Sequence, residues 1–145
     1  MATTFNSNKI LKGTNGRLWM NAELMAEVKS FEAKATGDFE EISVNGDFGK
    51  KHVFLGYSAA GTMVLHKIDS YVFSMYAKAY QSGEMPDVYI VASITNPQTS
   101  QTQRVKLTGV QFTEFTLLQF ENGTVLEEEV PFTAEGYEPI EAMSR

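Results

Sequence analysis

Apolar positions recur mostly at every second residue, the spacing of strands that turn one face to a core. Gly16 to Met20 (GRLWM) reads as a first strand, ended by a tight turn at Asn21–Glu23. Val28 to Thr36 alternates, with Phe31, Ala33 and Ala35 on one side and Lys29, Ser30, Glu32 and Lys34 largely outside that set. Phe39 to Val44 (FEEISV) is a further short strand, and Asn45–Gly46 signals a turn because both residues accept positive φ. Residues 45–60 hold Gly46, Gly49 and Gly56, too much glycine for a helix and too long a stretch for a simple hairpin. They read as a long loop or a loosely paired β-arm, and long ordered loops are usually functional. Thr62 to Ile68 (TMVLHKI) resumes strand character.

Helical spacing occurs once. Val72, Met75, Tyr76 and Ala79 fall at i, i+3, i+4 and i+7, with Asp69–Ser70 as capping residues and Gly83 where a C′ glycine belongs. One helix is therefore expected over about residues 70–82. After it come Val88 to Ile94 (VYIVASI), a polar loop at 96–103, Arg104 to Phe112, and Phe115 to Phe120 (FTLLQF). Asn122–Gly123 then carries a type I′ hairpin signal, and Val125 to Thr133 closes the hairpin. Seven or eight strands, mostly sequence neighbours, with one helix imply a mainly β fold. The expected architecture is an antiparallel β-sandwich or flattened β-barrel with the helix packed against it.

Two features bear on whether that fold is self-contained. VYIVASI and FTLLQF are apolar on both faces, whereas a strand in a free sandwich usually keeps one face polar. All four prolines lie outside residues 16–68, so the strands in 16–44 lack the proline that blunts an edge against intermolecular pairing. Either those strands are central, or their edges await another chain. The pattern alone leaves both open.

At 145 residues, 43% hydrophobic and 21% charged, the chain is expected to form one domain over 13–145 behind a polar, flexible N-terminal arm at 1–12. Zero cysteines exclude a disulfide framework, a zinc–thiolate site and a thiol nucleophile. No apolar run is long enough to span a bilayer as a helix, and MATTFNSNKI has neither a charged nor an apolar leader region, so an intracellular soluble protein is expected. The net charge of −6 is unevenly placed: nine Lys/Arg against eight Asp/Glu in residues 1–80, but three against ten in 81–145. An acidic surface repels phosphate backbones, which argues against a nucleic-acid-gripping protein.

Candidate chemistry is sparse. His52 and His66 match no metal-ligand spacing, and His66, alternating with Val64 and Ile68, reads as a partly buried structural residue. In GYSAAG the residue two beyond Ser58 is Ala60, so the nucleophile-elbow pattern fails. Gly46-Asp-Phe-Gly49 has the spacing of a nucleic-acid-binding GXXG loop but is flanked by strands where that motif needs helices. Glu127 and Glu129 would share one face of a strand while Glu128 takes the other, a charged strand face with no catalytic dyad. No enzyme, cofactor or metal site is expected.

Two segments, GTNGRLWMNAELMAEVKSFEAKAT (13–36) and VLEEEVPFTAEGYEP (125–139), resemble the tail tube proteins of contractile phage tails, of the type found in PBSX-like defective prophages and tail-like bacteriocin particles. The resemblance runs in order over nearly the whole chain, and LEEEVPFT is its most specific piece. One departure is Asn21-Ala22-Glu23, where such proteins often have an Asp-Gly turn. The resemblance implies a structural protein whose hexameric rings pair inner strands edge to edge and stack into a hollow tube. DNA or ions would pass through without specific binding; a tail sheath protein and baseplate or initiator proteins would be partners, and no membrane would be bound. Assembly in the bacterial host cytoplasm is implied as well.

On this reading Phe48, Val53 and Phe54 anchor one ring to the next, and Lys50 and Lys51 pair with the strand bearing Glu127 and Glu129 on another subunit. The alternative is a monomeric β-sandwich that binds a ligand or a protein, with a pocket lined by Trp19, Tyr57 and Tyr89. A hydrolase with an unrecognised site is a third.

Overall fold

The computed structural model describes residues 6–144. Two antiparallel sheets carry the chain. Sheet 1 has five strands in the order β2-β1-β5-β6-β9, made of β1 (Gly16–Met20), β2 (Glu23–Leu24), β5 (Ile90–Asn96), β6 (Gln101–Thr108) and β9 (Gly136–Glu141). Sheet 2 has four strands in the order β3-β4-β8-β7, made of β3 (Val28–Ser43), β4 (Lys50–His66), β7 (Gln111–Phe112) and β8 (Glu127–Ala134). Both sheets are open, so the sandwich alternative is the one adopted. Of the expected N-terminal arm, residues 1–5 lie outside the described residues, and Ser7–Lys9 forms a 3-10 turn.

The core lies between the sheets. Leu18 and Met20 of β1, Ile90 of β5 and Leu107 of β6 meet Met63 and Leu65 of β4 and Val130 and Phe132 of β8. In β8 the alternation is clean: Glu128, Val130, Phe132 and Ala134 point in, while Glu127, Glu129 and Thr133 point out. At Gly61 the strands β3, β4 and β8 come too close for any side chain. A Cβ there would sit 2.0 Å from the Glu32 carbonyl oxygen and 2.8 Å from the Phe132 ring, which stacks on Phe31 at 5.8 Å.

Helix α1 (Tyr71–Ser82) closes one end. Its first turn is capped by Asp69, whose Oδ1 accepts from Tyr71 N at 3.1 Å, and it ends on Gly83 at φ 81°. Tyr76 packs on Phe112 with ring centroids 4.8 Å apart, and the Tyr80 hydroxyl donates to the Phe112 carbonyl. Phe115 stacks edge-on against both Phe73 and Tyr80.

The β1–β2 turn puts Asn21 at φ 51° and Ala22 at φ 69°, the two positive values of a type I′ hairpin. Asn21 is held there by Tyr89, whose N–H donates to its Oδ1 at 3.0 Å and whose carbonyl accepts from its backbone N–H at 3.1 Å.

Five expectations are corrected. The strands read at 28–36 and 39–44 are one strand, with a bulge in the ladder between Asp38 and Phe39; of the two readings of 45–60 the paired β-arm is the one adopted, with residues 50–60 in β4. FTLLQF is no strand. The neighbouring edge, β8 before Phe132, has in Pro131 a residue with no N–H to offer, and residues 113–126 form no ladder. Asn122–Gly123 is a turn in which only Gly123 (φ 80°) is left-handed, so the type I′ hairpin does not form. GYEPIE, not read as a strand, is β9; its proline is tolerated because β9 is an edge. His66, expected to be partly buried, is exposed at the end of β4.

Candidate self-assembly surface

Strand β4 pairs with β3 along its length, but β8 covers it only from Ala59 to His66. Residues 36–43 and 50–58 therefore leave the sandwich as a two-stranded arm, about 25 Å long at about 3.3 Å per residue. A two-stranded ribbon alone in water is marginal. This one also exposes Phe39, Ile42, Val53, Phe54 and Leu55, with the Phe39 and Phe54 rings tilted against each other across the strands at 5.5 Å. The bulge leaves Leu55 without a partner in the ladder and re-aims the arm.

At the tip, Asp47 organises the turn. Its backbone N–H donates to the Val44 carbonyl, its Oδ1 accepts from Gly49 N at 2.9 Å, and its Oδ2 lies 3.4 Å from Lys51 Nζ. Phe48 is held out at the apex, 106% exposed, with no neighbour to pack on.

Of the residues expected to mediate assembly, Phe48, Lys50, Lys51, Val53 and Phe54 are brought together on this arm. Glu127 and Glu129 are not. Glu127 is the register partner of His66, and Lys50 lies sixteen residues back along the same strand, about 50 Å away. Within one subunit Lys50 pairs with Glu41 at 2.9 Å. Glu127 accepts from Lys29 Nζ at 2.6 Å; that hydrogen bond, with the charges of Lys29 and His66 behind it and slight desolvation opposing, holds its carboxyl below the usual range. Glu128, on the inward face, is buried, with Lys67 Nζ 3.6 Å from its Oε2 and no partner for Oε1.

Phe39, Ile42 and Leu55 also belong to the arm and were not singled out from sequence. Their signal was available: Phe39 and Ile42 are apolar beside Asp38, Glu40 and Glu41, and Leu55 continues the apolar Val53–Phe54 pair up to Gly56. What sequence could not supply was that no other strand would cover them.

The edges of sheet 2 complete the surface. β3 is an outer strand sixteen residues long without proline, which settles the question its composition left open. On the opposite side β7 pairs with β8 at Phe132 and Thr133, and Thr113 N donates to the Pro131 carbonyl at 3.0 Å, so the edge of β8 is open at residues 127–130. Sheet 1 is better guarded, with two-residue β2 on one side and proline-bearing β9 on the other.

No ligand pocket forms from Trp19, Tyr57 and Tyr89. Trp19 lies on β1 and Tyr89 just before β5, where Lys106 Nζ stands 5.1 Å over the Tyr89 ring, while Tyr57 of β4 packs edge-on against Tyr137 at 5.3 Å. A cleft of about 1070 Å³ opens elsewhere, between the sheets on the β3 side. Among the described residues no group of three or more His, Asp or Glu is placed to hold a metal, and no helix is long and apolar enough to cross a membrane.

Comparison with known proteins gives the same direction. The chain is 29% identical over 136 residues to the phage-like element PBSX protein XkdM of Bacillus subtilis (strain 168), covering 92% of each. Its fold matches the sheath/tube terminator of an extracellular contractile injection system in the extended state, with TM-score 0.75, 12% identity, and 96% and 99% of the two chains covered. It also matches a chain of the sheath–tube complex of that system, with TM-score 0.74, 12% identity, and 94% and 95% covered. A family model described as phage tail tube protein matches residues 3–141. An open-edged sandwich with a greasy arm, matched along almost its whole length, belongs to the phage tail tube protein family, a structural component of the tail.

Proposed function

We propose that copies of this chain close into hexameric rings that stack into the inner tube of a contractile tail or tail-like particle. The observation that carries this is the pair of open edges on opposite sides of sheet 2: β3 on one, β8 with β7 on the other. Two different edges meeting give a heterologous contact, and such contacts generate rings when the rotation closes. Each edge of sheet 2 then finds the backbone partners it lacks, and sheet 2 keeps no free edge in the ring.

The arm reaches away from the sheet and would bridge to the next ring, burying Phe48, Val53 and Phe54 there. Lys50 and Lys51, too far from Glu127 and Glu129 of their own subunit, can exchange their local partners for those of another. Interfaces of the obligate kind, roughly 2,000 Å² or more, are expected. Residues 13–145 would act as one tube-building domain, with 1–12 as an arm to a neighbour. A sheath protein outside, a baseplate or initiator complex at the end, and DNA sliding past an acidic lumen complete the assignment, with no catalytic role. Assembly would take place in the host cytoplasm.

Deleting residues 47–55 tests it. None of them contributes to the buried core, so the variant should fold and fail to polymerise. Tubes of unchanged yield, scored by sedimentation and negative-stain imaging, would refute the reading.

A further inference from the structure

The cleft between the sheets and the free segment 113–126 are complementary, and they sit on opposite flanks of the molecule. The cleft is walled by Leu18, Ala92 and Val105 of sheet 1 and by Phe31, Ala33 and Ala59 of sheet 2. No described residue of α1, β7 or segment 113–126 lines it. It opens where the inward side of β3 has nothing over it, at Ala33 and Ala35.

Segment 113–126 leaves from the other edge of sheet 2. Its base is pinned by Phe115 against Phe73 and Tyr80, while Leu117, Leu118, Phe120 and Val125 stand 71%, 83%, 78% and 74% exposed. Monomeric proteins rarely leave such a contiguous apolar group in water. Charge is compatible with the fit: the segment carries Glu114 and Glu121 and no cation, and the cleft wall includes Arg17, while its Lys29 is paired with Glu127 and its Lys34 with Glu32.

We infer that segment 113–126 of one copy seats its apolar side chains in the inter-sheet cleft of the next. A subunit does not fill its own cleft, because the segment leaves from the β7 edge while the cleft opens at the β3 edge, with β4 and β8 between. The contact is thus heterologous and runs in the same direction round the ring as the proposed β3 junction, on which reading it rests. Each subunit then completes the core of its neighbour, so the ring is held by side-chain burial as well as by backbone pairing.

The chain's lack of cysteine makes cross-linking direct. Purified full-length protein carrying both Leu118→Cys and Ala33→Cys, assembled and then oxidised, should give a covalent ladder extending beyond the dimer. A mixture of the two single variants should stop at dimers, and either variant alone should stay monomeric on denaturing gels. Tubes or rings visible by negative stain without 118–33 linkage would overturn the segment-in-cleft contact and leave the tube reading standing. A double variant that stops at dimers would show an isologous contact and overturn the direction inferred. Absence of any self-association, seeded or not, would overturn both.

Discussion

Phe48→Ser is expected to leave the monomer as stable as before and to weaken assembly by about 10- to 150-fold. The first half follows from exposure: the Phe48 side chain touches nothing in its own subunit, and surface substitutions of that kind stay within about 0.5 kcal/mol. The second half follows from what burial would gain. Fully burying a phenylalanine side chain is worth about 1.5–3 kcal/mol, and each 1.4 kcal/mol is a factor of ten in an association constant. The turn should survive the change, because it is held by Asp47 and Gly46 and not by the ring. Denaturant melts of dilute protein would measure the first quantity, and the critical concentration for tube formation by sedimentation the second. A critical concentration within twofold of the parent would refute burial of Phe48 at an interface. A loss of monomer stability above 1 kcal/mol would refute the claim that the apex stands free.

Gly61→Ala should destabilise the monomer by about 1–3 kcal/mol or more, since its methyl would collide with the Glu32 carbonyl, which is backbone and cannot rotate away; a thermal or denaturant melt checks this, and an unshifted midpoint would contradict it. Ala22→Gly should stabilise by about 1 kcal/mol, because alanine at φ 69° carries a left-handed penalty that glycine lacks; the same melt reads it. Glu127 should titrate below the usual carboxylate value of 4.5, its Lys29 hydrogen bond favouring the ionised form. Its contribution to stability is then present above the unfolded-state pKa and lost as pH falls through the folded one. Carboxyl NMR titration would show the low midpoint, and in Glu127→Gln this acid-side loss of stability should disappear.

The local rules of the chain were readable without coordinates. Helix α1 announced itself through Val72, Met75, Tyr76 and Ala79 and ended on Gly83, because helical spacing and a left-handed cap depend only on near neighbours. Strand β1, the turn at Asn21–Ala22 and the outward pair Glu127 and Glu129 followed from period-two patterning in the same way. The arm residues Phe48, Val53 and Phe54 stood out because apolar side chains in a glycine-rich charged stretch have no local explanation.

Tertiary structure decided everything that depends on which strands lie side by side. Whether β3 was central or at an edge, whether residues 50–60 were loop or ribbon, and whether FTLLQF had a partner all turn on pairings between residues far apart in the chain. FTLLQF has strand-like composition and no strand, because β8 offers it only a proline-interrupted margin. The cleft beside β3 is likewise a property of two sheets that do not close. Periodicity reports which face of an element is greasy; only the assembled sheets show which greasy faces and open backbones remain uncovered, and on this chain those are the surfaces proposed to build the tube.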